Sequence, residues 1–163
     1  MKDLFAKNPR QNVELHSFCH KSTNKSIFVE PTNKRELLEL VSKLRESKSP
    51  GIDNIGPGLV KEVFESIVDP LLYIFNISML DGIVPDKLKT AKVAPIFKKG
   101  DRSLAGNYRP ISLLTVLDKL LEKLMYKRAY TFLVKHNILY RHQFGFRKNY
   151  STASALIEVM DNI

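Results

Sequence analysis

The sequence predicts an α+β fold, predominantly helical, with helices packed around one small antiparallel hairpin. Three observations predict it. Apolar residues recur at helical spacing over 33–47, 57–80 and 115–136. One short run, Val93 to Phe97, alternates as a strand does, turns through Lys98-Lys99-Gly100-Asp101 and returns at Arg109-Pro110-Ile111. Hydrophobic content of 44% and charged content of 26% over 163 residues describe a globular chain long enough for a real core.

Residues 1–25 are polar and patternless and read as a weakly ordered lead-in or linker. His16, Cys19 and His20 lie there, but a structural zinc site needs a fourth ligand and the nearest other histidine is His136, so a loose surface cluster is the simpler reading. The single cysteine excludes an internal disulfide and fits a reducing compartment. Ser26 to Pro31 is a short extended segment stopped by proline. Thr32 or Asn33 then caps a helix through about Ser47, with Leu37, Leu38, Leu40, Val41 and Leu44 on one face.

Ser47 to Gly58 holds three glycines and two prolines and marks a loop of defined turns. It reads either as an interhelix connection or as a site where Lys48 and the backbone N–H groups around Gly51 meet an anionic backbone. From Pro57 the chain turns strongly apolar. Pro70 is expected to break this stretch into two helices, the second apolar almost all round and deeply buried, ending at Asp81-Gly82. After the hairpin, a helix runs from Thr115 or Val116 to about His136, with Thr115 and Asp118 at capping-box spacing. Leu117, Leu120, Leu121, Leu124, Met125 and Phe132 form its apolar stripe. Asp118, Lys119, Glu122, Lys123, Lys127 and Arg128 are placed outward. Gln143 to Lys148 is a compact aromatic and basic segment, and Ser151 or Thr152 caps a last helix from Ala153 to Asp161.

Charge is distributed unevenly. Residues 1–84 carry 11 Lys/Arg and 11 Asp/Glu, whereas residues 85–163 carry 15 and 6, the whole of the +9 excess. Between Lys87 and Arg109 stand seven cations against one acid, Asp101. This concentration makes phosphate the expected ligand. A membrane surface fits less well, because the cations do not line the polar face of an amphipathic helix, and no apolar run approaches a membrane span.

Two ammonium groups at a strand end, Lys98 and Lys99, can reach phosphate oxygens. Arg109 precedes Pro110 and is held extended, and its planar fork suits bidentate phosphate contact. For these three the alternative is a solvated turn. Phe144, Phe146, Arg147 and Tyr150 combine ring faces with a cation and suit unpaired bases, against a packing role for the two phenylalanines. No G-x-x-x-x-G-K-[ST] loop occurs, and no nucleophilic constellation assembles from the serines and histidines. Two-metal phosphoryl transfer needs converging carboxylates, and none of Asp86, Asp101, Asp118, Glu122, Glu158 and Asp161 has a convincing partner. No catalytic or metal-binding residue is therefore expected in this chain.

Four blocks carry a resemblance to a known family. They are Ser26-Ile-Phe-Val-Glu-Pro-Thr32, Lys48-Ser-Pro-Gly-Ile-Asp-Asn-Ile55, Lys92 to Asp101 continued by Asn107-Tyr-Arg-Pro-Ile-Ser-Leu-Leu114, and Gln143-Phe-Gly-Phe-Arg147 with Ser151-Thr152. In order and spacing they resemble the N-terminal part of the reverse transcriptase of non-LTR, LINE- or jockey-type retrotransposons. The resemblance covers about residues 26–163.

The resemblance implies the fingers, and the start of the palm, of a right-hand polymerase. It implies that Lys98 or Lys99 and Arg109 contact the triphosphate of an incoming deoxynucleotide. It places Lys48, Gly51, Phe144, Gly145 and Arg147 along the RNA template or DNA primer. Mg²⁺ is expected for the full-length enzyme and no cofactor for this fragment. The family's catalytic aspartates, in an F-x-D palm motif and a later F/Y-x-D-D box, would follow Ile163, so the chain is expected to be truncated before the catalytic palm and inactive alone. The location implied is intracellular, in cytoplasm or nucleus. Two rival readings stay open: a retained module that binds nucleic acid without chemistry, and a decayed copy without function.

Overall fold

The computed structural model describes residues 26–161; the expected lead-in and the His16, Cys19 and His20 cluster lie outside the described residues. The chain divides into two compact units, Ile27–Tyr130 and one that includes 131–161 of the described residues. Among the described residues no helix is long and apolar enough to cross a membrane.

In the first unit the order is α1 (Lys34–Ser42), α2 (Pro57–Glu62), α3 (Phe64–Asp81), a 3₁₀ turn (Asp86–Lys89), β1 (Lys92–Phe97), a second 3₁₀ turn (Ala105–Asn107), β2 (Tyr108–Leu113) and α4 (Val116–Lys135), whose residues after Tyr130 belong to the second unit. The α+β composition and the single antiparallel pair are as predicted. Asn33 caps α1 through its side chain, which accepts from the Glu36 N–H at 3.0 Å. The helix closes at Ser42, a turn earlier than expected, and Leu44 and Lys48 follow in turns closed by Leu44 N–H to Val41 O and Lys48 N–H to Arg45 O. Leu37 and Val41 are buried, Leu40 and Leu44 are half-buried, and Leu38 is exposed.

The break in the apolar stretch falls at Val63, not at Pro70, which lies inside α3. Pro70 and Ser66 are both exposed, so the carbonyl left without its helical donor lies on the solvent side of the helix. The expectation that this helix is deeply buried on all sides also fails. Val68, Leu71, Phe75 and Met79 are buried on one face, while Tyr73 and Leu80 are exposed. α3 therefore packs as a one-sided helix against α1 and α4, giving a core of Leu37, Phe64, Phe75, Leu120, Leu121 and Leu124 with their neighbours. Gly82, at φ 70°, closes it in the left-handed conformation.

α4 begins as the capping spacing predicts, with Thr115 Oγ1 accepting from the Asp118 N–H at 3.1 Å. Two of its residues, Asp118 and Arg128, do not face outward as expected. Asp118 is buried, and burial, with Glu122 nearby, raises its carboxyl above the ordinary value. Arg128 turns inward to Glu36, with Nη1 to Oε1 at 2.7 Å and Nη2 to Oε2 at 2.6 Å, and its Nε donates to the Glu30 carbonyl at 3.1 Å. Lys127 adds a bond of 2.7 Å and the Thr32 hydroxyl another of 2.9 Å, and together these pull the Glu36 carboxyl down to about 2. Asn76 of α3 exchanges two hydrogen bonds with the Thr32 backbone. One network thus ties the entry of α1 to α3 and α4.

In the second unit Ser151 caps α5 (Thr152–Asp161), its Oγ accepting from Ser154 N–H at 3.2 Å. Apolar side chains Leu156, Ile157, Val159 and Met160 of this helix are exposed.

Candidate nucleic-acid interface

The hairpin is built by local chemistry. β1 and β2 pair with Pro95 opposite Pro110, Ile96 opposite Arg109 and Phe97 opposite Tyr108, and the ladder continues with Lys98 N–H to Asn107 O at 2.8 Å. Bonded pairs alternate with non-bonded ones, so the two prolines fall where no ladder bond is needed. Their missing N–H groups would point to the outer edges of the ribbon, where they discourage pairing with another strand.

The tip is held by its own residues. Gly100 has φ 90°, and a β-carbon there would come within 2.8 Å of Asn107 Nδ2. That amide donates instead to the Asp101 carbonyl at 2.7 Å. The Asp101 carboxylate accepts the Ser103 N–H at 2.8 Å, which lowers its pKa, and Tyr108 donates to the Arg102 carbonyl at 2.9 Å. Phe97 meets Tyr108 edge to face, and the Arg102 guanidinium lies 5.0 Å from the Phe97 ring centre. The only acid of the basic run is thereby turned into its own loop.

Lys98, Lys99 and Arg109 are all exposed, and among the described residues none is paired with a carboxylate. By the register, Lys98 and Arg109 share the face that carries Ile96, while Phe97, Tyr108 and Pro110 share the other. These three cations thus lie together at the tip end of the hairpin. It can offer two ammonium groups and a guanidinium to phosphate oxygens in open solvent.

The expected contacts of the 47–58 loop are differently placed. Lys48 is exposed, but Gly51 is buried, and a β-carbon on it would come within 2.7 Å of both Thr115 Cα and Thr115 N. The glycine has a packing reason of its own: it seats the loop on the backbone between β2 and α4.

The remaining expected contacts fall in the second unit. Phe144 is half-buried, 5.6 Å edge to face from Tyr150. Arg147 stacks its guanidinium 4.3 Å from the Tyr150 ring centre and donates to the Tyr140 carbonyl at 3.3 Å. Gly145 is exposed with open space where a β-carbon would stand. Phe146, one of the rings expected to suit unpaired bases although the resemblance implies no contact for it, has φ 60° and is fully exposed. A bulky residue in that conformation is strained, and here the strain turns a ring face to solvent beside Arg147. The Phe-Gly-Phe pattern does not distinguish the packed ring from the free one. His142 pairs with Glu158 of α5.

Among the described residues no group of three or more His, Cys, Asp or Glu could hold a metal ion. The described residues therefore do not fit the Mg²⁺ expected for a whole polymerase.

No protein-family model matches the chain. Curated relatives do. The chain is 33% identical over 139 residues to the "Probable RNA-directed DNA polymerase from transposon BS" of Drosophila melanogaster, covering 85% of this chain and 15% of that protein. It is 34% identical over 133 residues to the "RNA-directed DNA polymerase from mobile element jockey" of Drosophila funebris, covering 81% and 14%. It is 34% identical over 122 residues to the "Retrovirus-related Pol polyprotein from type-1 retrotransposable element R1" of Bradysia coprophila, covering 74% and 12%. The chain therefore belongs to the RNA-directed DNA polymerases of jockey- and R1-type non-LTR retrotransposons, and it spans 12–15% of the length of these relatives.

Proposed function

We propose, from the relationship of this chain to the RNA-directed DNA polymerases of jockey- and R1-type non-LTR retrotransposons, that it forms the nucleotide- and template-gripping segment of such an enzyme. In this reading the first unit is fingers, and residues 26–163 are the N-terminal part of a reverse transcriptase domain with the start of its palm. Lys98, Lys99 and Arg109 bind the triphosphate of an incoming deoxynucleotide. Lys48, Phe144, Gly145 and Arg147 follow the RNA template or DNA primer, and Gly51 positions Lys48. Mg²⁺ and the nucleotidyl transfer belong to the full-length protein. A location inside the cell, in cytoplasm or nucleus, follows from those partners.

The observation that carries this reading is the hairpin tip. Its three cations are unpaired among the described residues, and its one acid is engaged in the turn. A second reading is a module that binds nucleic acid without chemistry, through the same three exposed cations.

Binding of single-stranded RNA at low salt tests the shared part of both. Replacing Lys98, Lys99 and Arg109 together by alanine is expected to weaken binding about tenfold or more and to reduce the salt slope by about 2, from roughly 0.7 per lost phosphate contact. Unchanged affinity in this variant would defeat the assignment.

A further inference from the structure

We infer that a second cleft of the first unit, lined by Lys43, Arg45, Lys48, Lys119 and Lys123, is a separate binding site for the sugar-phosphate backbone of a nucleic-acid strand. The cleft has a volume of about 550 Å³ and runs between the end of α1, the 47–58 loop and the first turns of α4. Five of the residues that line it are cationic and none is acidic. The inference rests on the reading of the chain as nucleic-acid-binding and adds a surface that the hairpin does not supply.

A solvated basic face is the ordinary explanation of such a cluster, and the rest of the unit argues against it here. On the helices of this unit the cations outside the cleft are matched, Lys34 with Glu65, Arg35 with Glu39, Lys61 with Glu46, and Lys127 and Arg128 with Glu36, and the unmatched ones gather at the hairpin and its approach. Among the described residues the five cleft cations have no carboxylate partner. Charge left unmatched inside a concavity focuses its potential on whatever enters.

The floor is apolar, formed by Leu44, Pro57, Leu113 and Val116. An apolar floor under a cationic rim suits sugar rings below and successive phosphates above. A lone phosphate would use the rim alone. Gly51, packed on Thr115, fixes the loop that carries Lys48 opposite the helix that carries Lys119 and Lys123. The cleft also draws Lys43, Arg45 and Lys48 from the electrically balanced half of the sequence, where a count of charge along the chain places no polyanion site.

The test compares two variants of the full chain with an oligouridylate of roughly twenty nucleotides as probe. Lys48→Gln, Lys119→Gln and Lys123→Gln together are expected to weaken binding about tenfold and lower the salt slope by about 2. Thermal melting of this variant should match the parent. Binding and slope equal to the parent would overturn the cleft, and so would full displacement of the oligonucleotide from the parent by millimolar inorganic phosphate. If the cleft variant binds normally while the hairpin variant fails, the cleft and the template role of Lys48 are refuted and the hairpin assignment stands. If the hairpin variant binds normally while the cleft variant fails, the hairpin assignment falls and the cleft stands. A parent that binds no oligonucleotide at low salt overturns both.

Discussion

Glu36→Ala is expected to destabilise the fold by about 3 kcal/mol or more, because it strands the Arg128 guanidinium in a largely buried position without its carboxylate. The side chains of Arg128 and Glu36 are 11% and 13% exposed, so water replaces the lost partner poorly. Both terminal guanidinium nitrogens bond to Glu36, and Lys127 and Thr32 converge on the same carboxylate. A loss of this size should appear as a drop of the melting temperature on the order of 10 °C.

The same carboxylate gives the fold an acid limb. Its pKa is about 2 in the folded chain, chiefly through the hydrogen bonds of Arg128, against an ordinary 4.5. The folded value is depressed, so the contribution is fully present above the unfolded pKa and is lost as pH falls from 4.5 toward 2. Across that window the parent should lose about 3 kcal/mol that Glu36→Gln, already lacking the charge, does not lose. Chemical denaturation at a series of pH values checks it. Parallel pH profiles for parent and Glu36→Gln would show that the pair does not contribute.

Gly51→Ala is expected to destabilise by about 2–3 kcal/mol, near the top of the range for overpacking, because the obstacle is backbone and not a side chain that can swing away. The added methyl would lie 2.7 Å from Thr115 Cα and N and 2.9 Å from Leu114 C, so the junction of β2 and α4 must shift. Gly106→Ala, where nothing lies within 4 Å, is the control and should stay within about 0.5 kcal/mol of the parent. Equal melting temperatures for the two variants would show that the loop is not seated as described. Because Gly51 holds Lys48 in place, its variant should also bind RNA more weakly, while Gly106→Ala should not.

What could be read from the sequence was what local chemistry determines. The hairpin declares itself through alternation from Val93 to Phe97, the glycine that the turn at residue 100 requires, and prolines at strand positions that need no ladder bond. Asn33, Gly82, Thr115 and Ser151 mark helix ends by side-chain or backbone preferences that act within four residues. Lys98, Lys99 and Arg109 stand out as cations on that hairpin.

What escaped depends on partners far along the chain. Arg128 reads as a solvated helix residue until the fold brings Glu36, separated by 92 positions, within hydrogen-bonding distance. Pro70 reads as a helix breaker because sequence does not show that its turn faces solvent. Asp118 has the spacing of a capping residue but becomes buried only when α4 packs. The basic cleft is hidden for the same reason, its cations coming from two segments some 70 residues apart, one in the electrically balanced half and one in the basic half.

The central claim is that the hairpin tip is a phosphate grip for an incoming nucleotide, and amide chemical-shift mapping with a deoxynucleoside triphosphate tests it most directly. The account predicts saturable shifts confined to Lys98 through Asp101 and around Arg109, absent with the corresponding nucleoside and lost when the three cations are replaced by alanine. Shifts that leave the tip untouched, or that persist with the unphosphorylated nucleoside, would contradict it.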